Sequence, residues 1–173
     1  MRNLFYIIFF FLLTECKSQD SKIKWLNFEE AIAQNKIEKK KIFIDLYTDW
    51  CGWCKKMDAT TFTDPKLVEY INKNYHCIKF NTEKEGPIKI ADTTYTMNPT
   101  RGRNGTHDLA FELLQGKLSY PTFVILDENF NMLSPIPGYR TAKELEPVLK
   151  YFGDKAYPTA TWQEFQGKFV STF

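Results

Sequence analysis

The chain has 173 residues, of which 43% are hydrophobic and 25% charged, and its formal net charge is +2. This composition is that of an ordinary globular protein of about one domain. Acidic and basic residues are interspersed, so the sequence lacks the concentrated basic surface that marks nucleic-acid binding. We therefore exclude nucleic acid as a partner.

Residues 1–19 have the pattern of an export signal. Arg2 precedes a ten-residue apolar run over 4–13, which is too short to span a bilayer but matches the apolar part of a signal peptide. Cys16 resembles the lipidated cysteine of bacterial lipoproteins, although Glu15 stands where that pattern has a small residue. The alternative is ordinary cleavage a few residues later. We expect export to the periplasm or cell envelope, with membrane contact only through a lipid on Cys16.

The rest of the chain, residues 20–173, is predicted to form one α/β domain. Residues 42–47 form a nearly unbroken apolar run of β-forming residues, which predicts a strand buried on both faces. Asp64 and Pro65 have the pattern of a helix N-cap and first helical position, and Thr141 begins a capping box. The predicted elements, in chain order, are a helix from Trp25 to the lysines at 39–41, the strand over 42–47, a helix from Gly52, a helix from Pro65, a strand over 76–80, a helix over 109–114, a hairpin of 121–126 and 131–133, a helix over 141–152 and a short helix from Thr161.

The segment at about 81–106 is rich in Gly, Pro, Asn and Thr and is predicted to be a long loop. A loop of this length is either functional or disordered. Arg101 and Arg103 would let it contact a partner protein, and a solvated loop is the equal alternative.

Three cysteines remain if Cys16 is lipidated or removed: the close pair Cys51 and Cys54, and the single Cys77. The pair lies where the buried strand leads into a helix. There, unpaired N–H groups and the helix dipole stabilise an anion, so Cys51 is expected to ionise easily and to attack disulfides. Cys54, one turn later, would then resolve the mixed disulfide. Cys77 is expected to be a buried apolar residue.

Two other uses of the cysteine pair are weighed against redox chemistry. A structural zinc ion would need further ligands, and only His76, Cys77 and His107 are available, at spacings unlike those of zinc fingers. An inert disulfide is the second alternative, although the tryptophans around the pair make it an unusually exposed one.

The stretch from Phe43 to Lys55, which contains Trp50-Cys51-Gly52-Trp53-Cys54, resembles the active-site region of the thioredoxin superfamily, and is most similar to exported bacterial thioredoxin-like proteins. Asp45 matches the buried acid of that family, Lys79 matches its lysine partner, and Tyr120-Pro121-Thr122 matches the cis-proline element. The resemblance spans roughly residues 25–152. It implies a thioredoxin fold, an α/β fold in which a central mixed β-sheet is flanked by helices on both faces.

The resemblance also implies the function and the roles of the site residues. Cys51 is the expected nucleophile, Cys54 the resolving cysteine, and the two form the redox-active disulfide, with no other cofactor and no metal. Asp45 is expected to accept a proton from Cys54, or else to form a plain buried ion pair with Lys79. The residues expected to contact substrate are Trp50, Gly52, Trp53, Tyr120 and Pro121.

The expected activity is reduction of protein disulfides in the cell envelope by a monomer that a membrane electron relay recharges. Trp53 replaces the proline common between these cysteines, so an isomerase or an oxidase is the alternative direction of exchange. A non-catalytic peptide-binding module on the same fold is the alternative of another class.

Overall fold

A computed structural model describes residues 22–154 and 156–173. Its central sheet has five strands, which lie in the order β1, β3, β2, β8, β9. The pairs β1·β3 and β2·β3 are parallel, whereas β2·β8 and β8·β9 are antiparallel, so the sheet is mixed as expected. These strands are β1 (Trp25–Leu26), β2 (Lys41–Tyr47), β3 (Tyr75–Asn81), β8 (Thr122–Leu126) and β9 (Met132–Pro137).

Helices cover both faces of this sheet. They are α1 (Phe28–Ile37), α2 (Gly52–Ala59), α3 (Pro65–Asn74), α4 (Asp108–Leu113), α5 (Ala142–Gly153) and α6 (Trp162–Lys168). A cluster of buried residues from α2, α3 and α5 packs with Phe43, and a second cluster from α1 and α4 packs with Ile42 and Ile44. Because side chains alternate along a strand, the odd-numbered positions of β2, including Asp45, face α2.

The start of the first helix differs from its prediction. Trp25–Leu26 is a two-residue strand paired with Cys77–Ile78, and α1 begins only after Asn27, whose side chain accepts the backbone N–H of Glu30 at 2.8 Å. The apolar spacing of Trp25 and Leu26 fits either element, and the long-range pairing with β3 decides between them. The predicted Asp64 cap and Thr141–Glu144 capping box are both present.

The segment 81–106 is not the irregular loop that its composition predicts. It contains β4 (Ile88–Ile90), β5 (Thr93–Tyr95), β6 (Met97–Asn98) and the start of β7 (Thr106–His107), which form two small antiparallel sheets. Ile88 is buried, and Ile90 and Tyr95 pack beside it against the α1–α4 cluster. This apolar anchoring explains why a segment rich in turn residues is ordered.

The chain after α6 is held by a C-terminal clamp, formed by Glu146 of α5 with residues 171–173. The carboxylate of Glu146 is fully buried and accepts hydrogen bonds from the Ser171 hydroxyl at 2.6 Å and the Thr172 backbone N–H at 2.8 Å. Lys150 lies 3.0 Å from it. Burial alone would raise the pKa of Glu146, but these donors outweigh burial and hold it at about 2.

The strand β9 forms one edge of the sheet. The Gly138 N–H donates to the Pro121 carbonyl at 2.8 Å, and Ile136 is paired with Phe123. Hydrogen bonding alternates along an antiparallel strand, so Pro135 and Pro137 occupy positions whose backbone nitrogens face away from β8. Neither has an N–H to offer there.

Among the described residues, no helix is long and apolar enough to cross a membrane. The predicted export signal at 1–19, with the lipidation candidate Cys16, lies outside the described residues.

Candidate active site

The two cysteines stand at the junction of β2 and α2. Cys51 is the N-cap of α2, its backbone N–H closes a turn onto the Thr48 carbonyl at 3.1 Å, and its Sγ accepts the backbone N–H of Cys54 at 3.1 Å. A disulfide joins Cys51 to Cys54, with Cα atoms 5.3 Å apart. A sulfur in this position receives the unpaired N–H groups and the positive end of the helix dipole, which favours a thiolate after reduction.

The disulfide is nearly covered, with Cys51 exposed by 4% and Cys54 by 2%. Gly52, between them, is open: a Cβ built there would meet no atom within 4 Å. The helix start is therefore open on the Gly52 side, whereas Cys54 is buried. Access of a partner to Cys51 depends on the side chains around this opening.

Asp45 lies under α2 and is 1% exposed. In the sheet it stands between Lys79 on β3 and Phe123 on β8. The Lys79 ammonium is 2.6 Å from Asp45 Oδ2, whereas Oδ1 is buried without a hydrogen-bond partner. Burial raises the pKa of Asp45 to about 6, although the neighbouring ammonium opposes the rise. The carboxyl group can therefore exchange a proton near neutral pH.

The Lys79 ammonium is shared with a second carboxylate, Asp58 of α2, which it also contacts. It lies 4.9 Å from the ring centroid of Tyr47 and 5.0 Å from that of Trp25. Burial lowers the pKa of Lys79, but the two carboxylates outweigh burial and hold it above its usual range. The lysine therefore stays charged beside Asp45.

The proline loop, which precedes β8, contacts the cysteine motif through the rings of Tyr120 and Trp50. The Tyr120–Pro121 peptide bond is cis, as the resemblance implies. The hydroxyl of Tyr120 accepts a hydrogen bond from the Thr82 hydroxyl at 2.8 Å, which ties this loop to the 81–106 segment. Burial raises the pKa of Tyr120, so it stays a neutral hydrogen-bonding group.

Trp50 and Trp53 are the large exposed side chains of the motif, at 61% and 55%. The Trp50 ring meets Tyr120 edge-on at 5.8 Å, and the Trp53 ring meets Tyr139 at 5.2 Å. The Trp50 indole N–H donates to the Glu83 carboxylate at 3.0 Å.

The sequence singled out Cys51, Cys54, Asp45 and Lys79. The structure joins the two cysteines at the β2–α2 junction and pairs Asp45 with Lys79 on the sheet face that α2 covers. Sequence reasoning missed Asp58, which lies on α2 itself, and Glu83 and Tyr139, which reach the motif by long-range packing. Only Asp58 had a usable signal, since it lies one helical turn beyond Cys54 on the same helix.

The other ligands considered for zinc are engaged elsewhere. His76 Nε2 lies 2.8 Å from the Glu38 carbonyl and His107 Nε2 lies 3.0 Å from the Gly86 carbonyl. Cys77 is buried in the α2–α3–α5 cluster, where burial raises the pKa of its thiol. Within the described residues, no group of three His, Cys, Asp or Glu side chains is placed to hold a metal ion.

The mixed sheet, the helices on both faces and the disulfide at a helix N-terminus define a thiol–disulfide oxidoreductase of thioredoxin fold. Residues 28–153 match the family model described as Thioredoxin-like domain, and the chain belongs to this family.

Related proteins agree with this assignment. The thiol:disulfide interchange protein DsbD of Vibrio vulnificus is 30% identical over 120 residues, a match that covers 68% of this chain and 17% of that protein. The chain thus spans about a sixth of the length of this curated relative. Two solved structures share the fold. A putative disulphide-isomerase from Bacteroides thetaiotaomicron has a TM-score of 0.55 and 24% identity, over 80% of this chain and 98% of the other. A thioredoxin from Thermus thermophilus has a TM-score of 0.56 and 14% identity, over 87% and 99%.

Proposed function

We propose that this protein reduces disulfides of other proteins in the cell envelope, with Cys51 as nucleophile and Cys54 as resolving cysteine. The observation that carries the proposal is the placement of Cys51 Sγ, which accepts the Cys54 N–H at the start of α2 while the disulfide partner lies one turn further in. The name of the Vibrio relative, a thiol:disulfide interchange protein, supports the same chemistry.

In the reduced protein, the Cys51 thiolate attacks one sulfur of the partner's disulfide. A mixed disulfide forms, and the partner's other sulfur leaves as a thiolate that takes up a proton. Cys54 then loses its proton, attacks Cys51 Sγ, and releases the second partner thiol. The partner gains two electrons and two protons, and the protein is left with the Cys51–Cys54 disulfide.

Asp45 is the proposed acceptor of the Cys54 proton. It is buried on the sheet face that α2 covers, and its Oδ1 has no hydrogen-bond partner. A pKa of about 6 lets the carboxylate be ionised at neutral pH and still take a proton as the thiol attacks. Lys79 is a positioning residue in this proposal, because it holds Oδ2 and leaves Oδ1 free.

The substrate surface is proposed to be the opening around Gly52. Trp50 and Trp53 are the large exposed aromatic side chains beside it, Tyr120 contacts Trp50, and Pro121 is the proposed neighbour of the partner segment. A dithiol of a membrane electron relay is the proposed reductant, since an envelope that is kept oxidising supplies none from its thiol pool. Export itself rests on the pattern of residues 1–19.

The test is a trapping experiment with Cys54→Ala. This variant should accumulate mixed disulfides through Cys51 with disulfide-containing envelope proteins, and Cys51→Ala should trap none. The equilibrium potential of the wild-type pair against glutathione then decides the direction. A value near that of thioredoxin, about −270 mV, supports reduction, whereas one near about −120 mV makes the protein an oxidant. Failure of Cys54→Ala to trap any partner would refute the proposal.

A further inference from the structure

Two aromatic bridges connect the cysteine motif to the loops beside it. The first is the pair Trp50–Tyr120 and the second is the pair Trp53–Tyr139. Tyr120 immediately precedes the cis-proline, and Tyr139 follows Gly138, whose N–H binds the Pro121 carbonyl. A partner segment that reaches the sulfurs must therefore pass these bridges.

The two bridges carry opposite charges. At the first, the Glu83 carboxylate accepts hydrogen bonds from the Trp50 indole at 3.0 Å and the Asn104 amide at 3.2 Å. Both donors are neutral, and the Lys84 ammonium, which pairs with Asp49, also interacts with Glu83, so the negative charge is only partly balanced. At the second, the Lys56 ammonium lies 4.9 Å from the Trp53 ring centroid and 5.2 Å from that of Tyr139.

The Lys56 ammonium is positioned but not neutralised. Aromatic faces attract and orient a cation without supplying a counter-charge. In the part of the chain that the structure describes, no carboxylate lies within ion-pair distance of Lys56. By contrast, Lys84, which follows Glu83 at the Trp50–Tyr120 bridge, pairs with Asp49. Lys56 is exposed and Trp53 is half exposed, so a partner carboxylate can reach this cation from solvent.

We propose that Lys56, seated on the Trp53–Tyr139 bridge, is a specificity-determining residue that selects partner proteins with a carboxylate beside the disulfide to be reduced. Glu83 on the other bridge repels such a carboxylate, so the pair of bridges also sets the direction in which the partner segment lies. The inference rests on the proposed function and deepens it, because it names the chemical class of substrate.

The experiment uses three synthetic peptides, each closed by one disulfide and identical except for Glu, Gln or Lys next to a cysteine. The second-order rate constant for reduction is measured with the reduced protein at low ionic strength. The Glu peptide should react about three- to fivefold faster than the Lys peptide, and the ratio should approach one in about 1 M salt, where charges are screened within about 3 Å. The Gln peptide corrects for any change in the reactivity of Cys51 itself.

Lys56→Glu should invert the preference between the Glu and Lys peptides. Lys55→Glu is the matched control, because it makes the same charge change on the same helix, and should keep the wild-type order. Equal rates for the three peptides with the wild-type protein would overturn the inference and leave the proposed function intact. The inference would also be overturned if Lys56→Glu and Lys55→Glu changed the ratio of the Glu-peptide and Lys-peptide rate constants by the same factor. If the wild-type protein reduced none of the peptides, the proposed function would fail together with the inference.

Discussion

Asp45 and Lys79 are direct partners in the parallel register of β2 and β3, and the lysine ammonium lies 2.6 Å from the carboxylate. Neighbouring strands thus place an acid and a base side by side on the face that α2 covers. The pairing leaves one carboxylate oxygen without a hydrogen bond, which makes this ion pair a candidate proton-transfer group as well as a structural one.

The raised pKa of Asp45 predicts a pH-dependent loss of stability in the oxidised protein. The folded state binds this proton more tightly than the unfolded chain, with a pKa of about 6 against 3.8. The stabilising contribution of the bound proton is therefore complete below the pKa of the unfolded chain and is lost as the pH rises through the pKa of the folded protein. Asp45→Asn should remove this loss. The difference in free energy of unfolding between the variant and wild type should therefore shift in favour of the variant by about 2–3 kcal/mol when the pH is raised from about 4 to about 8. Denaturant unfolding at both pH values measures it, and parallel pH profiles would contradict the prediction.

The two neighbours of Asp45 should move its pKa in opposite directions. Lys79 lowers it by charge and by hydrogen bonding, whereas Asp58 raises it by repulsion. Lys79→Met should raise the pKa further, by about one pH unit or more, and Asp58→Asn should lower it by a smaller amount. Carboxyl-carbon NMR titration of the oxidised protein reads the value directly. Shifts of the same sign in both variants would mean that Lys79 does not act on Asp45 by its charge.

Glu146→Gln should release the C-terminal clamp. The uncharged side chain accepts fewer of the hydrogen bonds from residues 171–173 and leaves Lys150 without its counter-charge, so we expect a loss of about 2–3 kcal/mol in the free energy of unfolding. Hydrogen exchange of the Thr172 amide should accelerate more than that of amides in β2. Ser171→Ala, which removes one donor, is the graded control and should cost about 1 kcal/mol.

The same clamp predicts acid sensitivity. Glu146 has a folded pKa of about 2 against 4.5 ordinarily. Its contribution to stability is thus present above the higher value and is lost as the pH falls through the lower one. Wild type should lose its stability advantage over Glu146→Gln across this range, as urea unfolding at several pH values would show. An advantage that stayed constant down to about pH 2 would exclude an ionised Glu146 as its source.

A third pH effect is expected from His107, at the start of α4. Its ring is fully buried, Nδ1 accepts the Leu109 N–H at 3.3 Å, and burial lowers its pKa below 6.5. The folded state prefers the neutral ring, so stability should fall as the pH drops below the ordinary value. His107→Asn keeps an N-cap acceptor but cannot be protonated. Its stability should therefore depend less on pH between about 7 and 5 than that of wild type, and a proton NMR titration of His107 checks the pKa.

Local sequence signals predicted much of the fold. The starts of two helices could be predicted from capping side chains, which accept backbone N–H groups no more than three residues away. These are Asp64, followed by Pro65, and Thr141 with Glu144. The apolar run of β2 likewise marks a central strand. The cysteine pair could be located for the same reason, because a helix N-terminus beside a buried strand is a local arrangement.

Features that depend on distant parts of the chain could not be predicted in this way. Trp25–Leu26 is a strand only because β3 pairs with it. The C-terminal clamp joins Glu146 to residues 171–173, which follow it in the sequence by 25–27 positions. Lys56 of α2 contacts Tyr139 of the loop between β9 and α5, and no local sequence pattern relates the two. The composition of 81–106 also gave a wrong prediction, since a segment rich in turn residues contains short strands that Ile88 and Tyr95 anchor to the core.

The prolines of β9 have a consequence for the exposed edge of the central sheet. An extended polypeptide segment can add to an exposed edge strand by backbone hydrogen bonds, and repeated addition of this kind leads to aggregation. At Pro135 and Pro137 an incoming strand meets carbonyl groups without the matching amides, so it cannot build a continuous ladder there. An extended polypeptide that approaches from solvent is therefore less able to add to the sheet along β9.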